Sequence, residues 1–210
     1  MTAVERFAEH LAACPLIAIV RGMRPDEADA VGEALFEAGI RIIEVPLNSP
    51  DPLSSIARLS ALFAGRATIG AGTVLDPLDV ARIADVGGRI IVSPGADPDV
   101  IAATVAAGLV SAPGYFTPTE AFAALKAGAH ALKLFPAEAA SPSVLKAQRA
   151  VLPKHVPILM VGGITPANMR NYLAAGANGF GLGSGLYSPG RSAADVAERA
   201  RSYVAALTQG

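Results

Sequence analysis

One lysine stands where a buried side chain is expected. The segment Ala129–Ala137 reads AHALKLFPA and has the length and residue types of a buried strand, yet it contains Lys133, one of only four lysines. Alternate strand residues face the same side, so Lys133 shares a face with small alanines, opposite Leu132 and Leu134. We therefore expect its amine to point inward. An apolar pocket favours the neutral amine, which can attack a ketone and form a Schiff base. A purely structural ion pair is the alternative.

A second charged residue that faces the interior is predicted in the second strand of the chain. The segment RIIEVPLNSP (residues 41–50) contains Glu44, the only carboxylate that falls within a predicted strand. Glu44 is in phase with Ile42, so we expect it to face the interior together with Lys133. An amine nucleophile and a carboxylate that moves protons are a minimal set for Schiff-base chemistry. The alternative is that the two residues form an ion pair with a purely structural role.

Two further polar residues end predicted strands. Arg21 follows the run LIAIV in phase with Ile17 and Ile19, where a guanidinium suits a carboxylate or phosphate group. A surface arginine leaving a strand is the alternative. Thr73, in IGAGTV, offers a hydroxyl at the end of the third strand. We treat both as candidate substrate-binding residues.

Glycine-rich segments end the last two predicted strands. They read VGGITPANM and FGLGSGLY, and bare backbone N–H groups there, next to a helix N-terminus, can hold a phosphate. The candidates are Gly162, Gly163, Gly183 and Ser184. Tight turns alone would also explain the glycines, but two such ends in adjacent units favour phosphate.

These residues need a scaffold that gathers strand ends at one point. Eight short apolar runs alternate with Ala-rich segments of helical pattern, and several helices begin with an N-cap residue followed by proline, as at Thr117-Pro118. Strand–helix alternation without a linker predicts an α/β fold, a single (β/α)8 TIM barrel over residues 1–210, with chemistry at the C-terminal strand ends. An extra N-terminal helix would close the bottom. An open doubly wound sheet is the rival, but no GxGxxG follows the first strand.

Composition excludes several function classes. The chain has 210 residues, 52% of them hydrophobic, and a net charge of −1, which gives no electrostatic case for binding nucleic acid or an anionic membrane. No apolar run is long enough to span a bilayer. His10, His130 and His155 are dispersed, so we expect no metal site. A single cysteine, Cys14, fits a reducing cytoplasm.

Seven segments in order resemble one enzyme family over nearly the whole chain. They are IAIVRG, GIRIIEVPLNSP, IGAGTV, IVSPG, GAHALKLFPA, VGGITPANM and GLGSGLY. They resemble the 2-keto-3-deoxy-6-phosphogluconate and 2-keto-3-deoxy-6-phosphogalactonate aldolases, which are Schiff-base lyases, (β/α)8 barrels and typically homotrimers that need no cofactor. The resemblance implies that Lys133 is the Schiff-base lysine and Glu44 the general acid/base. It implies substrate contacts for the following residues: Arg21, Thr73, Gly162, Gly163, Gly183 and Ser184.

One departure bears on the substrate. The phosphogluconate branch usually reads EVTLRTP, with an arginine for the substrate carboxylate, whereas this chain reads EVPLNSP and has the neutral amide of Asn48 there. PLNSP resembles the phosphogalactonate branch. We therefore expect cleavage of 2-dehydro-3-deoxy-6-phosphogalactonate to pyruvate and glyceraldehyde 3-phosphate. The alternatives are the C4 epimer, dual specificity, a phosphate-binding isomerase or synthase, and a non-catalytic sugar-phosphate-binding barrel.

Overall fold

Parallel strands and helices alternate through residues 1–208, the part of the chain that the computed structural model describes. The strands are β1 (Leu16–Ile19), β2 (Ile42–Pro46), β3 (Thr68–Gly72), β4 (Ile90–Val92), β5 (Val110–Ala112), β6 (Gly114–Tyr115), β7 (Leu132–Leu134), β8 (Ile158–Val161) and β9 (Gly179–Leu182). The helices are α1 (Ala3–Ala13), α2 (Ala28–Glu37), α3 (Pro52–Phe63), α4 (Pro77–Asp85), α5 (Pro98–Ala106), α6 (Pro118–Lys126), α7 (Pro142–Arg149), α8 (Pro166–Ala174) and α9 (Ala193–Thr208). Short 3₁₀ turns cover Pro25–Glu27 and Ala137–Ala139.

The sheet closes into a barrel through its fifth unit. Its strand order is β5-β4-β3-β2-β1-β9-β8-β7-β6, so the two ends of the sheet are β5 and β6. Both strands come from the fifth predicted strand, GLVSAPGYF (residues 108–116), which Pro113 divides because proline has no N–H for the ladder. The Ser111 carbonyl accepts the His130 N–H at 2.9 Å and the Pro113 carbonyl accepts the Lys133 N–H at 2.9 Å, which joins this segment to β7. The predicted (β/α)8 barrel is confirmed, with nine strand segments in eight units.

Helix boundaries follow local side-chain chemistry. Thr117 caps α6 by accepting the Glu120 N–H, and the Glu120 carboxylate accepts the Thr117 N–H at 2.7 Å. The glycines that follow α2, α5, α6 and α8 all have positive φ, as left-handed C-terminal caps require. No helix within residues 1–208 is both long and apolar enough to cross a membrane.

The barrel interior and the layer under the helices are separate apolar clusters. Leu132 and Leu134 pack in the outer layer with the helices. Ala131 instead packs in the interior with residues of five other strands and with Phe7 and Leu11 of α1. Leu11 also lies against the first residue of β9, so α1 covers the N-terminal ends of the strands. The predicted inward face of the sixth unit and the predicted bottom helix are both observed.

Candidate active site

Lys133 lies in the middle of β7 and points into the barrel. It is 7% exposed, and its Nζ atom is 5.0 Å from the centre of the Phe135 ring. Burial lowers the pKa of Lys133, because the charged amine loses its hydration; the negative charge of Glu44 opposes this shift, and the positive charge of Arg21 adds to it. The net effect is an amine that loses its proton more readily than an ordinary lysine.

Glu44 lies on β2 and is 2% exposed. Burial raises the pKa of Glu44 to about 7, since desolvation outweighs the opposing charges of Lys133 and Arg21. Its Oε2 atom accepts no hydrogen bond from any of residues 1–208. The neighbouring strand leaves room for this carboxyl group at Gly72, where a Cβ atom would lie 1.7 Å from Oε2. The fully buried carboxyl group therefore depends on a glycine opposite it.

The amine and the carboxyl group form no direct ion pair among the described residues. The structural ion pair that the sequence left open is therefore not what this structure contains. Both groups are shifted toward their neutral forms, and each affects the pKa of the other through its charge. Near neutral pH such a pair can supply a nucleophilic amine and a carboxyl group that both gives and takes protons.

Arg21 is held over the open end of the barrel by two neighbours. Its Nη1 atom donates to Asn48 Oδ1 at 2.5 Å, and its Nη2 atom donates to Thr73 Oγ1 at 3.4 Å. Thr73 has a φ of +57°, a left-handed conformation that is rare for a branched residue. Asn48 thus contacts the guanidinium rather than lining the cavity itself. These two hydrogen bonds hold the positively charged guanidinium of Arg21 at the C-terminal ends of the strands.

A cavity of about 630 Å³ opens at the C-terminal ends of the strands. Glu44 and Asn48 do not line it, but the other seven of the nine candidate site residues named from the sequence do: Arg21, Thr73, Lys133, Gly162, Gly163, Gly183 and Ser184. Gly162 and Gly163 have φ values of +103° and +63°, so a side chain would be strained at either position. The opening is therefore bordered by a buried amine at its base, a guanidinium on one side and bare backbone on another.

The geometry can be compared with known proteins. A family model described as KDPG and KHG aldolase matches residues 7–199. The chain belongs to this family. The resemblance seen in the sequence motifs is thereby confirmed, as is the expectation of an aldolase, a carbon–carbon lyase.

Relatives within the KDPG and KHG aldolase family cover the full barrel. The chain is 52% identical over 192 residues to a probable 2-dehydro-3-deoxy-6-phosphogalactonate aldolase of Rhizobium meliloti. The aligned region covers 91% of this chain and 91% of the relative. A solved structure named as native KDPGal superposes with a TM-score of 0.91 at 46% identity, covering 92% of this chain and 94% of the other. The KDPG aldolase of Legionella pneumophila, solved with pyruvate captured at low pH as a covalent carbinolamine intermediate, has a TM-score of 0.83 at 28% identity, with 97% and 98% coverage.

Two residues of this candidate site, Gly72 and Glu138, carried no clear signal in the sequence. Gly72 lies within IGAGTV and looks like an ordinary small residue of a buried strand. Its closeness to Glu44 becomes visible only once β2 and β3 are paired in the structure. Glu138 follows β7 and leans over the glycines after β8, where its Oε2 atom is 2.7 Å from the position of a Cβ on Gly163. Within residues 1–208, no three His, Cys, Asp or Glu side chains are grouped so as to hold a metal ion.

Proposed function

We propose that the protein is a Schiff-base (class I) aldolase that cleaves 2-dehydro-3-deoxy-6-phosphogalactonate to pyruvate and glyceraldehyde 3-phosphate. The observation that carries this proposal is the buried Lys133 amine at the base of the cavity, within the electrostatic reach of the buried Glu44 carboxyl group. The carbinolamine captured in the Legionella relative supports covalent chemistry with pyruvate. The name of the Rhizobium relative supports the choice of substrate.

The first half of the reaction builds the imine. The neutral Nζ atom of Lys133 attacks the C2 ketone of the substrate and forms a carbinolamine. Glu44 in its protonated form gives a proton to the departing hydroxyl group, and water leaves. A pKa of about 7 lets Glu44 exist in both forms near neutral pH, as this proton transfer and the next one require.

The second half breaks the carbon–carbon bond. The Glu44 carboxylate removes the C4 hydroxyl proton through a water molecule, and the electrons of the C3–C4 bond move into the protonated imine. Glyceraldehyde 3-phosphate leaves, and the enamine that remains takes a proton at C3. Hydrolysis of the resulting imine releases pyruvate and regenerates the Lys133 amine. Every proton and electron pair is handled by the amine, the carboxyl group and water.

The two anionic ends of the substrate fit the two sides of the cavity. We assign the C1 carboxylate to Arg21 and Thr73, with Asn48 orienting the guanidinium. We assign the C6 phosphate to the loops that contain Gly162, Gly163, Gly183 and Ser184, where N–H groups are unobstructed by side chains. Binding both ends fixes the C2 ketone next to the amine, so remote contacts lower the barrier at the reacting carbon.

Borohydride reduction in the presence of pyruvate tests the covalent step. We expect a stable adduct on Lys133, found by peptide mass spectrometry, that disappears in Lys133→Ala. Lys146→Ala is the matched control, because Lys146 is exposed on α7 and its loss should leave the adduct intact. An adduct on another lysine, or none, would refute the mechanism. It would favour a non-covalent isomerase, synthase or sugar-phosphate-binding barrel.

Comparison of the two C4-epimeric substrates tests the substrate assignment. We expect a higher kcat/KM for the phosphogalactonate than for the phosphogluconate epimer. Comparable values would indicate a dual-specificity enzyme, and the reverse order would indicate a 2-dehydro-3-deoxy-6-phosphogluconate aldolase. Both results would leave the Schiff-base chemistry in place.

We further propose that the protein works as a single catalytic domain, as a homotrimer, in the cytoplasm. The family resemblance supports the trimer, and so does the exposure of two large apolar side chains near the start of α4, Leu75 at 64% and Leu78 at 76%. The free, buried thiol of Cys14 fits a reducing compartment. The mass of the native protein in solution, measured by light scattering, tests the trimer.

A further inference from the structure

Two backbone loops enclose the part of the cavity assigned to phosphate. One follows β8 and contains Gly162, Gly163 and Ile164; the other follows β9 and runs from Gly183 to Gly185. Within residues 1–208, no side-chain hydrogen bond joins these two loops directly to each other. The elements behind them supply the side chains that contact each loop.

Side chains behind the loops hold their carbonyl groups away from the cavity. Asn168 of α8 donates to the Gly163 carbonyl at 2.8 Å, and Arg191, just before α9, donates to the Ser184 carbonyl at 3.1 Å. In a planar trans peptide the C=O and the next N–H point in opposite directions. The N–H groups of Ile164 and Gly185 consequently turn toward the cavity, and within residues 1–208 neither has an acceptor.

Tyr203 of α9 lies against both loops from behind. Its hydroxyl donates to the Ile164 carbonyl at 3.0 Å, and Tyr203 is only 4% exposed. The same hydroxyl oxygen lies 2.3 Å from the position where Gly185 would carry a Cβ. The Tyr203 hydroxyl therefore occupies the space between the loop after β8 and the loop after β9, and it is hydrogen-bonded to the first.

We propose that Tyr203 is a positioning residue for the phosphate end of the substrate. By bonding Ile164 and filling the space against Gly185, it sets the distance between the two sets of N–H groups, so that both reach one phosphate. Gly185 has no side chain because the hydroxyl needs that space. This inference rests on the proposed aldolase function and its phosphate subsite, and it adds a residue on the last helix that touches neither the substrate nor the reacting atoms.

The test separates phosphate binding from covalent chemistry. In Tyr203→Phe we expect KM for the phosphorylated substrate to rise about tenfold, with kcat/KM for the unphosphorylated analogue within twofold of wild type. Borohydride trapping of pyruvate on Lys133 should be unchanged. Tyr172→Phe is the matched control, because its buried hydroxyl donates to Ala137 and Ala140 in the segment after β7. We expect a similar loss of melting temperature in the control but an unchanged preference for the phosphorylated substrate.

A double variant tests the contact with Gly185 directly. Gly185→Ala alone should raise KM for the phosphorylated substrate, because its Cβ collides with the Tyr203 hydroxyl. After Tyr203→Phe the nearest ring carbon, Cζ, is 3.5 Å from that Cβ, an ordinary contact. Gly185→Ala should then add no further loss in the Tyr203→Phe background.

The outcomes are distinguishable. Wild-type protein that trapped no pyruvate, or that showed no preference for the phosphorylated substrate, would overturn the proposed function and this inference with it. A wild-type preference retained in Tyr203→Phe would overturn the inference alone. Equal losses on both substrates, or strictly additive effects of Tyr203→Phe and Gly185→Ala, would also overturn it.

Discussion

Replacing Gly72 by alanine should slow the proton transfers assigned to Glu44, so that the Schiff base forms more slowly but still accumulates. The added Cβ would lie 1.7 Å from Oε2, 2.3 Å from Cδ and 2.5 Å from Oε1 of Glu44, whereas ordinary contact begins at 3.4 Å. The carboxyl group must therefore retreat by more than ~1 Å inside a close-packed barrel, and a misplacement of this size can cost about 100-fold in rate. Repacking of the surrounding strands should also cost about 1–3 kcal/mol of stability.

Steady-state release of pyruvate would measure this effect. We expect kcat for Gly72→Ala to fall about 100-fold, with borohydride trapping of pyruvate on Lys133 still complete at long reaction times. Gly95→Ala is the matched control, because Gly95 has a position near the same end of the barrel and a Cβ there would meet nothing within 4 Å. A kcat for Gly72→Ala within threefold of the control would refute the reasoning. Trapping should be slower than in wild type, because Glu44 also assists loss of water from the carbinolamine; no adduct at any reaction time would show that the site around Lys133 had been disturbed as well.

Three further changes probe the charges of the site. Cleavage should rise with pH through about 7, because Glu44 becomes the base that the C4 hydroxyl needs, and this limb of the kcat profile should vanish in Glu44→Gln. Folded Glu44 binds its proton more tightly than the unfolded chain, so wild-type stability should fall between pH 4.5 and about 7. Urea unfolding should accordingly show Glu44→Gln gaining about 3 kcal/mol relative to wild type from pH 4 to pH 8. Asn48→Ala should raise KM about fivefold with little change in kcat, since Arg21 loses its 2.5 Å hydrogen bond; an unchanged KM would remove Asn48 from substrate binding. Glu138→Gln should lower KM for the phosphorylated substrate about two- to fivefold at low salt and less at high salt, because a negative charge leaves the side of the cavity assigned to phosphate; a higher KM would contradict this assignment.

The inward direction of the central charges could be predicted because it depends only on strand parity. Lys133 and Glu44 each lie in a short buried strand whose alternate residues are small or aliphatic, and the structure places both inside the barrel. The grouping of residues at the C-terminal strand ends could also be predicted. Parallel strands bring Arg21, Thr73 and the glycine-rich segments to the same end of the barrel.

Contacts across strands could not be predicted, because periodicity gives directions but no distances between elements. The absence of a direct ion pair between Lys133 and Glu44 depends on the separation of β7 and β2 in the closed barrel. The role of Gly72 depends on the register of β2 with β3, and that of Tyr203 on how the last helix packs behind two loops. The division of the fifth strand at Pro113 is different, since the proline was visible in the sequence and the missing N–H alone predicts a break.

The apolar plug that α1 supplies has a consequence for the chemistry at the opposite end. Phe7 and Leu11 continue the interior packing below Ala131, which directly precedes β7 and lies two residues before Lys133. The Lys133 amine faces the cavity at the C-terminal strand ends, and apolar side chains lie below it. Looser packing of α1 against the barrel would let water enter from the N-terminal ends of the strands. The hydrated Lys133 amine would then regain its proton and stop reacting with ketones.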